Sequence, residues 1–241
     1  MTATVASRVR TGALSDSWLL ATTLGGFVVY QIGAQVDTWY HAHYGFEIES
    51  FFTWAHALLY GGWVLSAAPA ALRFARARTL PPGYPLVLAG AVAFGAGGAF
   101  DMAWHGAFGF EVGHEALVSP SHLVLIYASG LSCVGLVWAA AAWRARAGAG
   151  LFGDLALSFA LGILSRNLLF ALLYSEPLRT DYASGGAVAG RLFGFSGIAA
   201  WGDMAAQVAG TTGMALYAVI LALVVVVPLR GLRLGGGSIA T

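Results

Sequence analysis

The sequence predicts an all-α fold: a polytopic membrane bundle of about six transmembrane helices in which one helical hairpin occurs twice. Three observations predict it. Of the 241 residues, 59% are hydrophobic and only 10% are charged, against about a quarter charged in an ordinary soluble domain. Several apolar stretches are long enough to cross a bilayer, which takes roughly 20 mostly apolar residues. The arginines gather in alternate connections between those stretches, as in a chain threaded back and forth through a membrane. The net formal charge of +1 offers no basic surface for nucleic acid. The single cysteine, Cys133, rules out an internal disulfide or a CxxC metal site, and is expected to be a small buried hydrophobe.

The polar start of the chain carries Arg8 and Arg10, and no A-x-A-like cleavage site follows. The first apolar run, 17–40, is therefore expected to be a retained span rather than a cleaved signal peptide. Further spans are expected at 51–72, 85–108, 121–143, 151–174 and 201–229. They form one membrane domain, 1–241, with a first hairpin repeat at 17–72, a second at 85–143, and a C-terminal helix pair at 151–229. Pro85 and Pro120 stand near helix starts, where a missing N–H does little harm. Gly90, Gly95, Gly97 and Gly98 give the third span the small surface that lets membrane helices approach closely. The stretch 175–200, with Glu176, Arg179, Asp181 and Arg191, is too polar to span and is expected to be an extramembrane loop. Arg166 is expected to pair with Asp203 or Asp154 inside the bundle.

Arg73, Arg76 and Arg78 follow the second span, Arg144 and Arg146 the fourth, and Arg230 and Arg233 the sixth. With Arg8 and Arg10 they define the cytoplasmic side. The connections near 41–50 and 106–120 lack arginine and carry Glu47, Glu49, Glu111 and Glu115. Both termini are thus expected in the cytoplasm of a bacterial-type plasma membrane.

The chemistry lies in those acidic connections. Asp37-Thr-Trp-Tyr-His41 is followed by His56, and Asp101-Met-Ala-Trp-His105 by His122. Displacing the first stretch by 64 positions, from Asp37 to Asp101, superposes Asp, His, Gly45 on Gly109, Phe46 on Phe110, and Glu47 on Glu111. Asp and His at i and i+4 share a helix face, and the second histidine descends from the partner helix at the outer end of each hairpin. One carboxylate and two imidazoles suit copper, iron or zinc and leave positions open for water or substrate. Asp37, His41, His56, Asp101, His105 and His122 are the candidate ligands. Glu47, Glu111, His43 and His114 are candidate extra ligands or outer-sphere partners. Trp39, Tyr40, Tyr44, Phe46, Trp104, Phe108 and Phe110 fit an interfacial aromatic belt.

The second cassette resembles the C subunit of the copper membrane monooxygenases, the family of particulate methane, ammonia and short-chain hydrocarbon monooxygenases. The likeness rests on Asp101-Met-Ala-Trp104-His105 and Ser119-Pro120-Ser121-His122, about two dozen residues of the chain. It implies that Asp101, His105 and His122 bind copper near the outer face, within a complex of membrane subunits that acts on a small apolar substrate with O2. Here the spacer from His105 to His122 is longer than the family's. The family's other copper set, an Asn and two His, follows the first set in the chain, whereas Asp37, His41 and His56 precede it.

The residues themselves leave other functions open. A duplicated site could pass a metal ion or a proton in a transporter or metal-delivery protein. His56 and His122 could ligate a haem in a membrane anchor subunit. The Asp–His pairs could also do no more than fix the helix ends. The expected partners are other membrane subunits or further copies of the chain.

Overall fold

The computed structural model describes residues 2–44, 52–109, 119–148, 150–171, 212–223 and 226. They are helical apart from short turns and carry no strand. In chain order the helices are α1 (Thr2–Tyr44), α2 (Trp54–Ala77), α3 (Tyr84–Phe108), α4 (Pro120–Ala147), α5 (Leu151–Ala171) and the shorter α6 (Thr212–Leu223). Among the described residues, five helices are long and apolar enough to cross a membrane, the first over Asp16–His41. The chain is thus a multi-pass, all-helical membrane protein. Of the expected sixth span, only 212–223 and 226 lie within the described residues. The expected loop at 175–200, and Asp203, lie outside them.

Local chemistry decides where the spans end. α1 runs back to Thr2 because no proline interrupts that stretch. α2 starts at Trp54, later than the apolar run suggests, because Thr53 caps it: Thr53 is extended (φ −98°, ψ 161°) and its hydroxyl accepts the His56 N–H at 3.1 Å. α4 outruns its apolar stretch through Arg144 and Arg146, both good helix formers, and stops at Gly148, whose φ of 86° suits glycine.

α1 packs antiparallel on α2, and α3 antiparallel on α4; α4 also packs on α5, while α2 and α3 touch far less. Each hairpin closes backbone to backbone. A Cβ on Gly62 would overlap the Tyr30 backbone of α1, and one on Gly90 would lie 2.6 Å from the Ala128 carbonyl of α4. Gly62→Leu is therefore expected to destabilise the first hairpin by about 1–3 kcal/mol, read as a lower midpoint of thermal unfolding in detergent, whereas Gly61→Leu, with open space around it, leaves the midpoint unchanged.

Leu20 and Phe27 of α1, Val87 of α3, Leu136 and Cys133 of α4, and Leu157 of α5 form the shared core. Buried Cys133 behaves as a small hydrophobe. Val64, Leu65, Val92, Trp138 and Phe159 are exposed on the outside, where hydrocarbon surrounds a membrane bundle. Interhelical hydrogen bonds tie the interior: Trp63 donates to the Ala91 carbonyl at 3.0 Å, Ser132 to the Val87 carbonyl at 3.0 Å, and Asn167 to Ser129 at 2.6 Å. Asp154 does not wait for Arg166. The tight turn into α5 sets it against Arg144 at 2.5 Å, and the Arg166 guanidinium lies 5.1 Å from the Phe170 ring centre. Arg146 meets Asp16 of α1 at 3.5 Å, which puts the end of α4 beside the start of the first span. The hairpin ends that carry Asp37 and Asp101 consequently lie together at the opposite end of the bundle.

Candidate metal centre

Each hairpin brings three candidate ligands to one point. In the first, the C-terminal turns of α1 carry Asp37 and His41, and α2 presents His56 one turn below its cap. His41 Nε2 stands 3.6 Å from Asp37 Oδ1, and His56 Nε2 stands 3.7 Å from the same oxygen. In the second, Asp101 and His105 of α3 meet His122 of α4, with Nε2 to Asp101 Oδ1 separations of 3.3 and 3.5 Å. The imidazole centres are 5.3 Å apart in the first cassette and 5.5 Å in the second. In each triad the three ligand atoms lie within 4.8 Å of one another. Two ligands bound about 2.0–2.1 Å from one ion at a tetrahedral angle stand ~3.3–3.4 Å apart. The open triads are therefore already close to the spacing an ion requires.

The far nitrogens of three of the four rings are held as well. His122 Nδ1 lies 2.9 Å from the Ser119 hydroxyl, and His56 Nδ1 lies 3.3 Å from the Thr53 hydroxyl. Both hydroxyls are the N-caps of their helices. In each case the histidine takes the third helical position, where a capping box puts Glu or Gln, and its ring turns back onto the cap. His105 Nδ1 lies 3.2 Å from the Gly109 carbonyl. Gly109 sits at φ 79° and ends α3 by donating its N–H to the His105 carbonyl at 2.9 Å. When Nε2 faces an ion, Nδ1 carries the proton and donates it to these oxygens, which sets tautomer and ring orientation together.

The two copies differ in depth and in what touches the carboxylate. The Asp101 side chain is 3% exposed and accepts a hydrogen bond from Ser121 at 2.6 Å. The Asp37 side chain is 16% exposed, yet its Oδ1 is buried and has no hydrogen-bond partner among the described residues. A buried carboxylate oxygen is ordinarily hydrogen-bonded. One that is not, with two imidazole nitrogens facing it beyond hydrogen-bond reach, fits a cation.

All six candidate ligands thus fall into two clusters. His43 does not join them: it is exposed and stacks on Trp39, with ring centres 4.5 Å apart. Glu47, Glu111 and His114 lie outside the described residues. Of the aromatic residues expected to form a belt, Trp39, Tyr44 and Phe108 are exposed, Tyr40 and Trp104 are half-buried, and Phe46 and Phe110 lie outside the described residues. Thr53 and Ser121 are additions that sequence reasoning missed, and the signal for Thr53 was present: a hydroxyl three residues before a histidine, ahead of an apolar run, in both copies. Tyr60 is another. Four residues after His56, it shares that histidine's face, with ring centres 6.2 Å apart, and its hydroxyl packs against Gly98 of α3. Tyr127 comes five residues after His122, and it faces outward. No protein-family model, curated protein or solved structure matches the chain.

Proposed function

We propose that the chain is a metal-binding membrane subunit of an oxidase or monooxygenase complex, holding one copper ion in each Asp/His/His cassette and serving the oxidation of a small apolar substrate by O2. The observation that carries this reading is the duplicated triad, with every Asp Oδ1 to His Nε2 separation between 3.3 and 3.7 Å. Imidazole and carboxylate donors suit copper, iron and zinc alike. The likeness of the second cassette to the copper membrane monooxygenase C subunit favours copper. Bound copper supplies one-electron and O2 chemistry. The chain's own residues supply three ligands per ion, a negative charge to offset the cation, and oxygen acceptors that keep each Nε2 turned inward.

Two features favour an ion in each cassette over the other readings. His56 and His122 each turn Nε2 to the carboxylate of their own cassette, not to a shared haem. Both cassettes sit at one end of their hairpins, so they do not line up as a path across the bilayer. With the arginine-rich ends in the cytoplasm, the cassettes face the outer side of a bacterial-type plasma membrane, and other membrane subunits complete the complex.

Elemental analysis of protein purified from membranes tests the reading. Two ions per chain are expected, with copper the principal metal. Protein free of copper, iron and zinc, and unable to take up any of them, overturns it.

A further inference from the structure

The sparse contact between α2 and α3 leaves a groove of about 560 Å³, within the size range of small-ligand sites. Trp54, Ala57 and Trp63 line it from α2, and Ala99 and Met102 from α3. Its lining is mainly apolar. Ala57, Ala99 and Met102 of its lining are exposed on the flank of two helices long and apolar enough to cross a membrane, a placement that would turn the groove towards hydrocarbon. At its inner end stand His56 and Tyr60, the latter reaching across to Gly98.

His56 is a ligand of the first cassette. None of Asp101, His105 and His122 is among the described lining residues. The second cassette also buries its carboxylate more deeply and commits Asp101 Oδ1 to Ser121. Its most accessible ligand, His122, is 31% exposed but lies outside the groove. Asp37 Oδ1 carries no such hydrogen bond.

We infer that the two centres divide the work: Asp37, His41 and His56 form the centre that meets substrate, and a small apolar molecule reaches it from the bilayer through the α2–α3 groove. The Asp101 centre, although it carries the family likeness, lends no ligand to that groove. This inference rests on the metal-binding reading above.

The test uses the full chain in lipid nanodiscs, loaded with Cu(II), and trifluoromethylbenzene as the probe. Paramagnetic enhancement of its ¹⁹F relaxation falls steeply with distance from the ion. Strong enhancement is expected in wild type and in Asp101→Ala, with loss in Asp37→Ala. His122→Ala replaces Asp101→Ala if that variant does not fold. Ala57→Leu and Ala99→Phe, which fill the groove from opposite walls, are each expected to cut the enhancement several-fold with copper content unchanged. Enhancement that persists in Asp37→Ala, or that ignores both groove-filling changes, overturns the inference while leaving the metal reading intact. Elemental analysis before the probe is added separates the two: if copper never enters the Asp37 centre, the metal reading fails there and the inference falls with it.

Discussion

Asp37→Ala is expected to lower the metal content from two ions per chain to one, and Asp101→Ala to do the same at the other centre. Each substitution removes the one anionic member of its triad among the described residues, so the loss of affinity is expected to exceed the 10–100-fold typical of losing an outer-sphere partner. The centres share no ligand and belong to different hairpins, so the effects add and the double variant holds no ion. Elemental analysis together with chelator competition checks all three proteins. If either single variant emptied both cassettes, the two would be one shared site. Metal-free stability separates the copies further. Asp101→Ala takes the 2.6 Å acceptor from the buried Ser121 hydroxyl and leaves it only the longer contact to the Ser119 hydroxyl at 3.4 Å, a penalty of about 1 kcal/mol, whereas Asp37 Oδ1 has no hydrogen bond to lose among the described residues. Asp101→Asn keeps an acceptor for Ser121, so it should restore thermal stability without restoring the ion.

Ser119→Ala is expected to have the next largest effect, because one hydroxyl does two jobs. It accepts the His122 N–H at 3.4 Å at the start of α4 and lies 2.9 Å from His122 Nδ1. Losing the cap costs about 1 kcal/mol. Losing the ring's partner lowers metal affinity at the second centre by roughly 10–100-fold. Thr53→Ala should repeat both effects at the first centre. Ser119→Asp keeps an oxygen in reach of the N–H and the ring, and should recover most of the affinity in a metal titration. Wild-type affinity in Ser119→Ala would reduce the hydroxyl to a helix cap.

Much of this architecture could be read without coordinates, for physical reasons. A bilayer demands long apolar runs, so the spans show directly. Asp and His four apart must share a helix face, and a short connection must return the partner helix to the same end, so both triads were legible from spacing and duplication. Other features were not. Tyr60 and the groove depend on how far apart α2 and α3 stand, which no local pattern records. The bond from Ser121 to Asp101 depends on the rotation of α4 against α3. Asp154 pairs with Arg144 rather than Arg166, because composition shows that a buried cation needs a partner but not which one; Asp203, the other partner expected for Arg166, lies outside the described residues.

Because every ligand set is closed within one hairpin, its geometry is complete as soon as two neighbouring helices have paired. A nascent chain could therefore capture its first ion while later segments are still being synthesised, and the second as α4 enters the bilayer. Captured early, an ion would clamp the ligand-bearing ends of a helix pair before the remaining helices arrive, and so would aid assembly.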